Sequence, residues 1–411
     1  MDILGALIER NFTVGKLAIT DVDGTRIELN GDQDGPCSAI RVHDPNFRRK
    51  LFLNPNLAVG EGYMDGAFSL EEGDIFDFAA VCMANAKSVE SGGIVALLTM
   101  LDKARRAILQ YNPVGRAKSN VAHHYDLSDQ LYDLFLDTDR QYSCAYYDHD
   151  KQSLEEAQLN KKRHIAAKLL IEPGMRVLDI GSGWGGLGIY LAQTTGAEVT
   201  GVTLSEEQHR ISRDRAAELG LAGQVDFRLL DYRLLTEKFD RIVSVGMFEH
   251  VGILHYPEFF HQVQIMLEED GIALLHTIGR ADGPGVTNEF IRRFIFPGGY
   301  CPALSEVVPP IERTGMFITD VEILRLHYAD TLKAWRKRYN ANREKVRQIY
   351  DEKFCKMWEF YLAGSEAAFR YGGHVVFQIQ FARQQDAVPL TRSYIDDWHN
   401  GRLNRSRSAA E

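Results

Sequence analysis

Short apolar runs alternate with segments of helical periodicity from about residue 120 onward. Runs such as residues 242–245 and 272–275 carry almost no polar side chains, which is typical of strands covered on both faces of a sheet. Strands that alternate with helices favour an α/β fold with a mainly parallel sheet, whose ligands bind at the carboxyl ends of the strands. The strands predicted from this pattern are residues 176–180, 198–204, 225–230, 240–246, 271–278, 319–325 and 375–384.

Residues 1 to about 85 show a second pattern, in which short apolar runs are separated by turn-forming residues. The runs 17–20, 39–42 and 51–53, with separators such as Asn30–Gly31, predict a small domain with several strands.

Apolar residues at helical spacing over 94–110 include basic residues among them and predict an amphipathic helix. We therefore divide the chain into a smaller N-terminal α+β domain at 1–110, a connector at 111–120, a larger α/β domain at 121–400 and a polar tail at 401–411.

Composition narrows the class of protein. The chain has 411 residues and a net charge of −10, which argues against a nucleic-acid binder that works through bulk electrostatics. Five cysteines are scattered without metal-ligand spacing, so we expect reduced thiols and no metal site. The N-terminus lacks the features of a signal peptide, and the longest apolar run is too short to span a bilayer. We therefore expect a cytoplasmic protein that is soluble or peripherally bound to a membrane.

The candidate chemistry centres on a glycine-rich turn. The apolar run 177–180 is followed by Gly181, Gly183, Gly185 and Gly186, after which a helical pattern begins. Glycines let the backbone approach a ligand closely, and a helix start offers free N–H groups and a positive dipole end. The segment predicts a turn that binds a nucleotide-like cofactor.

Two cofactors compete for this turn. Its glycines satisfy G-x-G-x-x-G, the dinucleotide fingerprint, but a dinucleotide site also needs an acidic residue at the end of the second strand. That strand ends in residues 202–205, Val-Thr-Leu-Ser, and has no carboxylate there. Asp179 instead completes D-x-G-x-G, which resembles motif I of S-adenosylmethionine methyltransferases. A carboxylate at this position can face the ammonium group of the ligand, so we favour S-adenosylmethionine.

Further polar clusters extend this resemblance. In order and spacing they resemble the cyclopropane-fatty-acyl-phospholipid synthases over residues 120 to 400, and the N-terminal part resembles the extra lipid-associated domain of the bacterial members. The resemblance implies a Rossmann-like class I methyltransferase sheet of seven strands. The segments that carry it, besides the glycine turn, are residues 124–128, 141–146, 201–208, 231–233, 246–251 and 275–279.

The implied reaction adds a methylene group from S-adenosylmethionine across a cis double bond of a phospholipid acyl chain. The alkene attacks the S-methyl group, a carbocation develops, and a base removes a proton from the transferred methyl so that the ring closes. Water must be excluded and the cation stabilised. In the resembling family the base is a bound bicarbonate, whose cradle here would consist of Cys144, Glu249, His276, the backbone of Ile278, and Tyr328.

The resemblance also assigns the cofactor contacts. Asp179 faces the ammonium group on the motif argument above. The other implied contacts are Gly181, Gly183 and Gly185 at the methionine portion, Thr203, Leu204 and Gln208 at the ribose and adenine, Asp231 and Tyr232 at the adenine, and Tyr142 and Ser143 closing over the methionine end.

Other histidines receive no catalytic role. We expect packing or hydrogen bonding for His250. His123, His124 and Asp126 suggest a metal cluster, but no further ligands lie at metal spacing, so we expect residues 125–128 to cover the active site instead.

The implied partners are a phospholipid bilayer with unsaturated acyl chains, at the inner face of the membrane, and a second copy of the chain in a homodimer. Helix 94–110 and the basic clusters 48–50, 292–293 and 336–338 are candidates for the lipid-facing surface. Alternatives are a lipid C-methyltransferase that makes methylene- or methyl-branched chains, an NAD-dependent oxidoreductase, and a non-catalytic lipid carrier.

Overall fold

The computed structural model of the chain describes residues 11–90 and 128–400. The predicted amphipathic helix at 94–110, the connector, the 123–126 cluster and the polar tail lie outside the described residues.

The N-terminal part contains a four-stranded sheet with the order β2-β1-β3-β4, which confirms a small unit with several strands. Strand β1 pairs antiparallel with β2 and parallel with β3, and β4 pairs antiparallel with β3. Three helices pack with the sheet. The elements are β1 (Val14–Thr20), β2 (Arg26–Asn30), β3 (Gln33–Val42), α1 (Phe47–Leu53), α2 (Pro55–Asp65), β4 (Phe68–Glu72) and α3 (Ile75–Glu90).

The apolar run at 51–53 does not form a strand but ends helix α1, so that prediction is wrong. The run is only three residues long and gives no reliable period. In the helix, Phe47 is buried and Leu51 is partly buried one turn later, whereas Phe52 and Leu53 are exposed. The two apolar side chains that face the core, Phe47 and Leu51, are therefore four residues apart, which is the spacing of a helix.

The larger domain is built on a seven-stranded sheet with the order β10-β11-β9-β8-β5-β6-β7. All seven strands predicted from the apolar runs are present, and the sheet is mainly parallel as expected. Strand β11 is antiparallel to both β9 and β10. The strands are β5 (Arg176–Ile180), β6 (Glu198–Thr203), β7 (Val225–Leu229), β8 (Phe239–Val245), β9 (Leu267–Arg280), β10 (Phe317–Leu324) and β11 (His374–Ala382).

Helices cover this sheet and enclose extensive apolar cores, which is why its central strands contain apolar runs such as 242–245 and 272–275. Short turns of other helical types occur at 248–250 and 291–295. The helices are α4 (Asp129–Asp133), α5 (Leu154–Leu169), α6 (Gly186–Thr195), α7 (Glu206–Glu218), α8 (Tyr256–Met266), α9 (Leu304–Arg313), α10 (His327–Ala341), α11 (Arg343–Ile349), α12 (Glu352–Tyr371) and α13 (Ser393–His399).

The two units share an interface along α12. Ala363 of this helix is buried in the core of the N-terminal unit, and the Tyr63 hydroxyl donates a hydrogen bond of 3.0 Å to Glu359. Arg336 on α10 bridges the units as well, because it pairs with Asp74 at 2.9 Å. Within the described ranges, no helix has both the length and the apolar character that crossing a membrane requires.

Candidate active site

A cavity lies at the carboxyl ends of β5, β6 and β8, where the order of strands in the sheet reverses. The turn after β5 forms one wall. The N–H groups of Gly181 and Ser182 both donate to the carbonyl oxygen of Val202, at 2.9 and 3.0 Å, which ties the turn to β6. Gly181 and Gly183 have φ of +85° and +55°, conformations that favour glycine. The backbone can therefore come close to a ligand here.

Ten of the eleven cofactor residues expected from the sequence line this cavity. They come from four separate segments of the chain, so the fold brings together residues that lie far apart in the sequence. The ten are Tyr142, Ser143, Asp179, Gly181, Gly183, Thr203, Leu204, Gln208, Asp231 and Tyr232.

Gly185 is the exception: it does not line the cavity, whereas Gly186 does. Its φ is +82°, and a Cβ built on it would lie 2.6 Å from Phe227 and 2.8 Å from Ser212. Gly185 therefore serves the packing of the turn against β7 and α7. The sequence could not show that Gly185 packs against other elements while its neighbours line the cavity, because all four glycines fit the same glycine-rich turn.

The end of the cavity beside β6 and β7 carries a polar network. The Thr203 hydroxyl donates to Gln208 Oε1 at 3.0 Å, and both residues are buried. The Asp231 carboxylate accepts two hydrogen bonds from the Arg233 guanidinium, at 2.9 and 2.7 Å. Arg233 also lines the cavity and was not predicted as a cofactor residue, although it belongs to the 231–233 motif.

Asp179 marks the opposite end. It is 2% exposed, and its Oδ2 has no hydrogen-bond partner among the described residues. Burial raises the pKa of the Asp179 carboxyl to about 7, although the charge of Lys161 opposes the shift. A buried acceptor without a partner costs free energy, and a cationic ligand group would remove that cost.

A second polar group, formed by Glu249 and His276, lies where β8 and β9 pair. Val245 at the end of β8 pairs with His276 on β9, and Glu249 follows in the next turn. The Ile278 N–H donates to Glu249 Oε1 at 2.6 Å, and the Tyr300 N–H donates to the Glu249 backbone oxygen at 2.9 Å. These contacts fix the Glu249 side chain beside β9.

His276 is oriented from the other side by β11. Gln378 Nε2 donates to His276 Nδ1 at 3.1 Å, which leaves the ring hydrogen on Nε2. His276 Nε2 and Glu249 Oε2 are both buried and lack hydrogen-bond partners among the described residues. Burial lowers the pKa of His276 to about 3 and raises the pKa of Glu249 to about 7. The pair thus offers a neutral donor and a carboxyl that titrates near neutrality.

Cys144 and Tyr328 belong to one apolar cluster against which Ile278 packs, and the Ile278 N–H is the group that binds Glu249. Cys144 is 1% exposed and its Sγ donates to the Ala145 carbonyl oxygen at 3.3 Å. Burial raises the pKa of the Cys144 thiol, so a thiolate nucleophile is disfavoured there. Tyr328 packs against Trp335 with a ring distance of 5.7 Å.

Aromatic side chains complete the region, and of these Tyr361, Trp335 and Phe296 were not predicted as site residues. The hydroxyl groups of Tyr142 and Tyr361 are 2.7 Å apart, and Tyr142 lies 5.2 Å from Trp335 between ring centroids. Phe296 connects Tyr361 to His250, with ring distances of 5.9 and 5.8 Å. His250 lines the cavity, and burial lowers its pKa to about 4, so it is neutral at neutral pH. Such a wall excludes water and presents π-electron density.

Comparisons with known proteins agree with this geometry. Residues 114–379 match the family model described as mycolic acid cyclopropane synthetase. The chain is 37% identical to cyclopropane-fatty-acyl-phospholipid synthase of Escherichia coli (strain K12) over 87% of this chain and 90% of that protein. It is 32% identical to tuberculostearic acid methyltransferase UfaA1 of Mycobacterium tuberculosis over 93% of this chain and 91% of the relative.

Among solved structures, the mycolic acid cyclopropane synthase CmaA1 complexed with SAH and CTAB is 34% identical. The superposition has a TM-score of 0.62 and covers 66% of this chain and 99% of that one. Together with the cavity geometry, this match supports S-adenosylmethionine as the cofactor and not a dinucleotide.

Proposed function

The chain belongs to the mycolic acid cyclopropane synthetase family, and we propose that it is a cyclopropane-fatty-acyl-phospholipid synthase. Its substrates would be S-adenosylmethionine and a phospholipid with a cis-unsaturated acyl chain. The observation that carries the proposal is the buried Glu249/His276 pair, whose free acceptor and donor lie beside a cavity suited to S-adenosylmethionine. A simple methyltransferase has no need of that second polar group.

When bound, S-adenosylmethionine supplies an electrophilic S-methyl group. Asp179 would hold its ammonium group, and the 181–186 turn would let the backbone approach its methionine portion. Thr203 and Gln208 would take the place of the acidic ribose ligand that dinucleotide sites use. These residues orient the cofactor before the chemical step, which is where positioning contributes to rate.

We further propose that the Glu249/His276 pair holds bicarbonate, which would supply the base for the transferred methyl group. The residues present fit such an ion: His276 Nε2–H donates, and Glu249 in its protonated form can donate from Oε2. The Tyr328 hydroxyl would be a further donor from the same apolar cluster, and Cys144 would become one if its S–H turned from the Ala145 carbonyl oxygen to the ion. A buried anion needs several donors to offset its lost hydration.

The remaining requirement is a stable environment for the developing carbocation. Tyr142, Tyr361, Trp335 and Phe296 form an aromatic wall near the cavity. Their ring faces favour a cation over neutral carbon, and their bulk keeps out water that would trap it. The same wall suits the apolar acyl chain.

A second candidate function is a lipid C-methyltransferase that leaves a methylene or methyl branch. It is favoured by the similarity to tuberculostearic acid methyltransferase, which spans nearly the whole chain. The two functions diverge after methyl transfer. Direct loss of a proton from the transferred methyl closes the ring, whereas a hydride shift along the chain before that loss gives a methylene branch.

A product assay tests the proposal. Purified protein is incubated with S-adenosylmethionine and vesicles of cis-monounsaturated phospholipid, and the acyl chains are analysed by mass spectrometry and proton NMR. We expect a gain of one methylene unit with upfield cyclopropane protons. Vinylidene signals, or a methyl branch on a chain that keeps a double bond, would favour the C-methyltransferase. An unchanged acyl chain with cofactor bound would contradict both.

We also propose that the protein works at a membrane surface as a peripheral homodimer, because its substrate is part of a bilayer. Basic residues near Arg49 and Lys50 are exposed and can meet anionic headgroups. Analytical ultracentrifugation with and without vesicles would test both parts, and a monomer that never sediments with lipid would contradict them.

A further inference from the structure

Lys161 is a fully buried lysine on α5 whose ammonium group contacts two residues of the cavity wall. Lys161 Nζ donates to Gln141 Oε1 at 2.7 Å and to Ser143 Oγ at 2.9 Å. Both acceptors line the cavity. An ammonium group is expensive to bury, so its presence next to a ligand site calls for a function that repays the cost.

Helix α5 holds the same segment a second time, through Gln158. Gln158 Nε2 donates to the backbone oxygens of Gln141 at 3.2 Å and Ser143 at 3.0 Å. Gln158 and Lys161 are three residues apart and therefore lie on one face of the helix. Together they fix both the backbone and the side chains of residues 141–143.

The direction of these hydrogen bonds determines what Ser143 can offer a ligand. An ammonium group only donates, so the Ser143 oxygen must accept. The hydroxyl hydrogen of Ser143 is then left to point at another acceptor. Ser143 lies in the wall of the cavity, beside Gly246, whose built Cβ would lie 3.7 Å from Ser143 Cβ.

Asp179 lines the same cavity, and its Oδ2 is an acceptor that has no partner among the described residues. A zwitterionic amino-acid group needs one acceptor for its ammonium and one donor for its carboxylate. Asp179 provides the acceptor and Ser143 provides the donor. Lys161 acts on both residues: its ammonium group donates to Ser143 Oγ at 2.9 Å, and its charge opposes the rise in the pKa of Asp179.

We infer that Lys161 is a positioning residue: through its charge and its hydrogen bond to Ser143, it directs the Ser143 hydroxyl at the carboxylate of the cofactor's methionine portion. The inference rests on S-adenosylmethionine being the cofactor, as in the proposed function, but not on the lipid product. Hydrogen bonds to charged groups are about twice as strong as neutral ones, so the effect on affinity should be large enough to measure.

Calorimetric titration of the full-length protein without lipid tests the inference, with S-adenosylmethionine and its decarboxylated analogue as probes. Lys161→Met should weaken S-adenosylmethionine binding by about tenfold more than it weakens binding of the analogue, because a change at Asp179 affects both probes alike and only S-adenosylmethionine carries the carboxylate. Equal losses for both probes, or no loss for either, would overturn the inference. Wild-type protein that binds neither probe would instead overturn the proposed function.

Lys168→Met is the matched control. Lys168 is also fully buried on α5, but it pairs with Asp320 and Glu322, outside the cavity lining. We expect it to bind both probes as the wild type does. If Lys161→Met does not fold, Ser143→Ala takes its place, because it should show the same preference for losing the carboxylate-bearing probe. Unchanged S-adenosylmethionine affinity in Ser143→Ala would also overturn the inference.

Discussion

At the scale of single residues, the site depends on polar atoms that the protein buries without satisfying. Asp179 Oδ2, Glu249 Oε2 and His276 Nε2 each lack a hydrogen-bond partner among the described residues. Such atoms reduce the free energy of unfolding. A protein therefore keeps them at sites where a bound ligand supplies the missing hydrogen-bond partner. The first of them lines the cavity in which we propose that the cofactor binds, and the other two belong to the proposed bicarbonate cradle.

Glu249→Gln should separate catalysis from cofactor binding. We expect turnover to fall by about 100-fold or more, because the amide cannot titrate as the carboxyl does or hold the ion in the same way. The affinity for S-adenosylhomocysteine should stay within about twofold, since Glu249 does not line the cofactor cavity. Steady-state kinetics and calorimetry would measure the two effects. A large loss of cofactor affinity would show that Glu249 belongs to the cofactor site instead.

Asp179 should make cofactor affinity depend on pH. Because burial raises its pKa to about 7, the ligand-free carboxyl is protonated below that pH and cannot pair with an ammonium group. We expect affinity for S-adenosylhomocysteine to rise as pH increases through about 7, and Asp179→Asn to bind about tenfold more weakly with a flatter profile. Binding titrations at several pH values would test this, and a pH profile identical in both proteins would contradict it.

Asp179→Asn should weaken cofactor binding but raise the stability of the ligand-free protein. A carboxyl whose pKa is raised on folding binds its proton more tightly in the native state, so its contribution to stability falls as pH rises from the unfolded value of 3.8 through about 7. At pH near 8 the ligand-free Asp179→Asn protein should therefore have a higher Tm than the wild type. A lower Tm would mean that Asp179 has a structural partner in the native state.

At the scale of elements, the strands were predictable because burial on both faces leaves an unmistakable apolar run. The segment 51–53 was mispredicted because three residues cannot show a period. The role of α5 could not be predicted at all. Its segment 160–164, Asn-Lys-Lys-Arg-His, has the composition of a solvated face, yet Lys161 is fully buried.

The cofactor part of the site could be predicted from the sequence, whereas the aromatic wall could not. Its cofactor residues belong to short motifs at strand ends, where they can be found by spacing. The aromatic wall, with Trp335 and Tyr361, comes from helices far along the chain, where an aromatic residue at helical spacing looks like ordinary core. Only the packing of α10 and α12 shows that these residues meet Tyr142.

The glycine turn should divide into two functional parts. At Gly183 nothing lies within 4 Å of a built Cβ, so Gly183→Ala should mainly obstruct the cofactor, apart from the cost of a positive φ. Gly185→Ala adds a collision with Phe227 and Ser212 and should destabilise the fold more. Thermal denaturation and cofactor titration of both variants would test this division. A greater loss of stability in Gly183→Ala would contradict it.

At the scale of the whole molecule, the basic clusters have different roles. Within the cluster 336–338, Arg336 is only 11% exposed and pairs with Asp74 and Glu366, whereas Lys337 is exposed. Arg336 itself is therefore a poor candidate for contact with lipid, and the expectation for the rest of the cluster stays a prediction. Arg49 and Lys50 remain exposed on α1, even though Lys50 also pairs with Asp44 at the surface.

Charge reversal should distinguish these roles. Arg49→Glu combined with Lys50→Glu should weaken binding to anionic vesicles by about tenfold or more at low salt, and the difference should shrink as ionic strength rises. Arg336→Gln is the control, which should lower Tm and leave vesicle affinity unchanged. Vesicle co-sedimentation across a salt series would measure this. Affinity that is insensitive to salt in every protein would contradict electrostatic docking.

The central claim is that the cofactor cavity and the Glu249/His276 pair serve one reaction, in which a methyl group is transferred and then loses a proton. The most direct measurement supplies S-adenosylmethionine with a fully deuterated S-methyl group and determines how many deuterium atoms the lipid product retains. The account predicts a ring carbon that carries two deuterium atoms, with the third lost to the base. A product that retains all three as a methyl branch would contradict it.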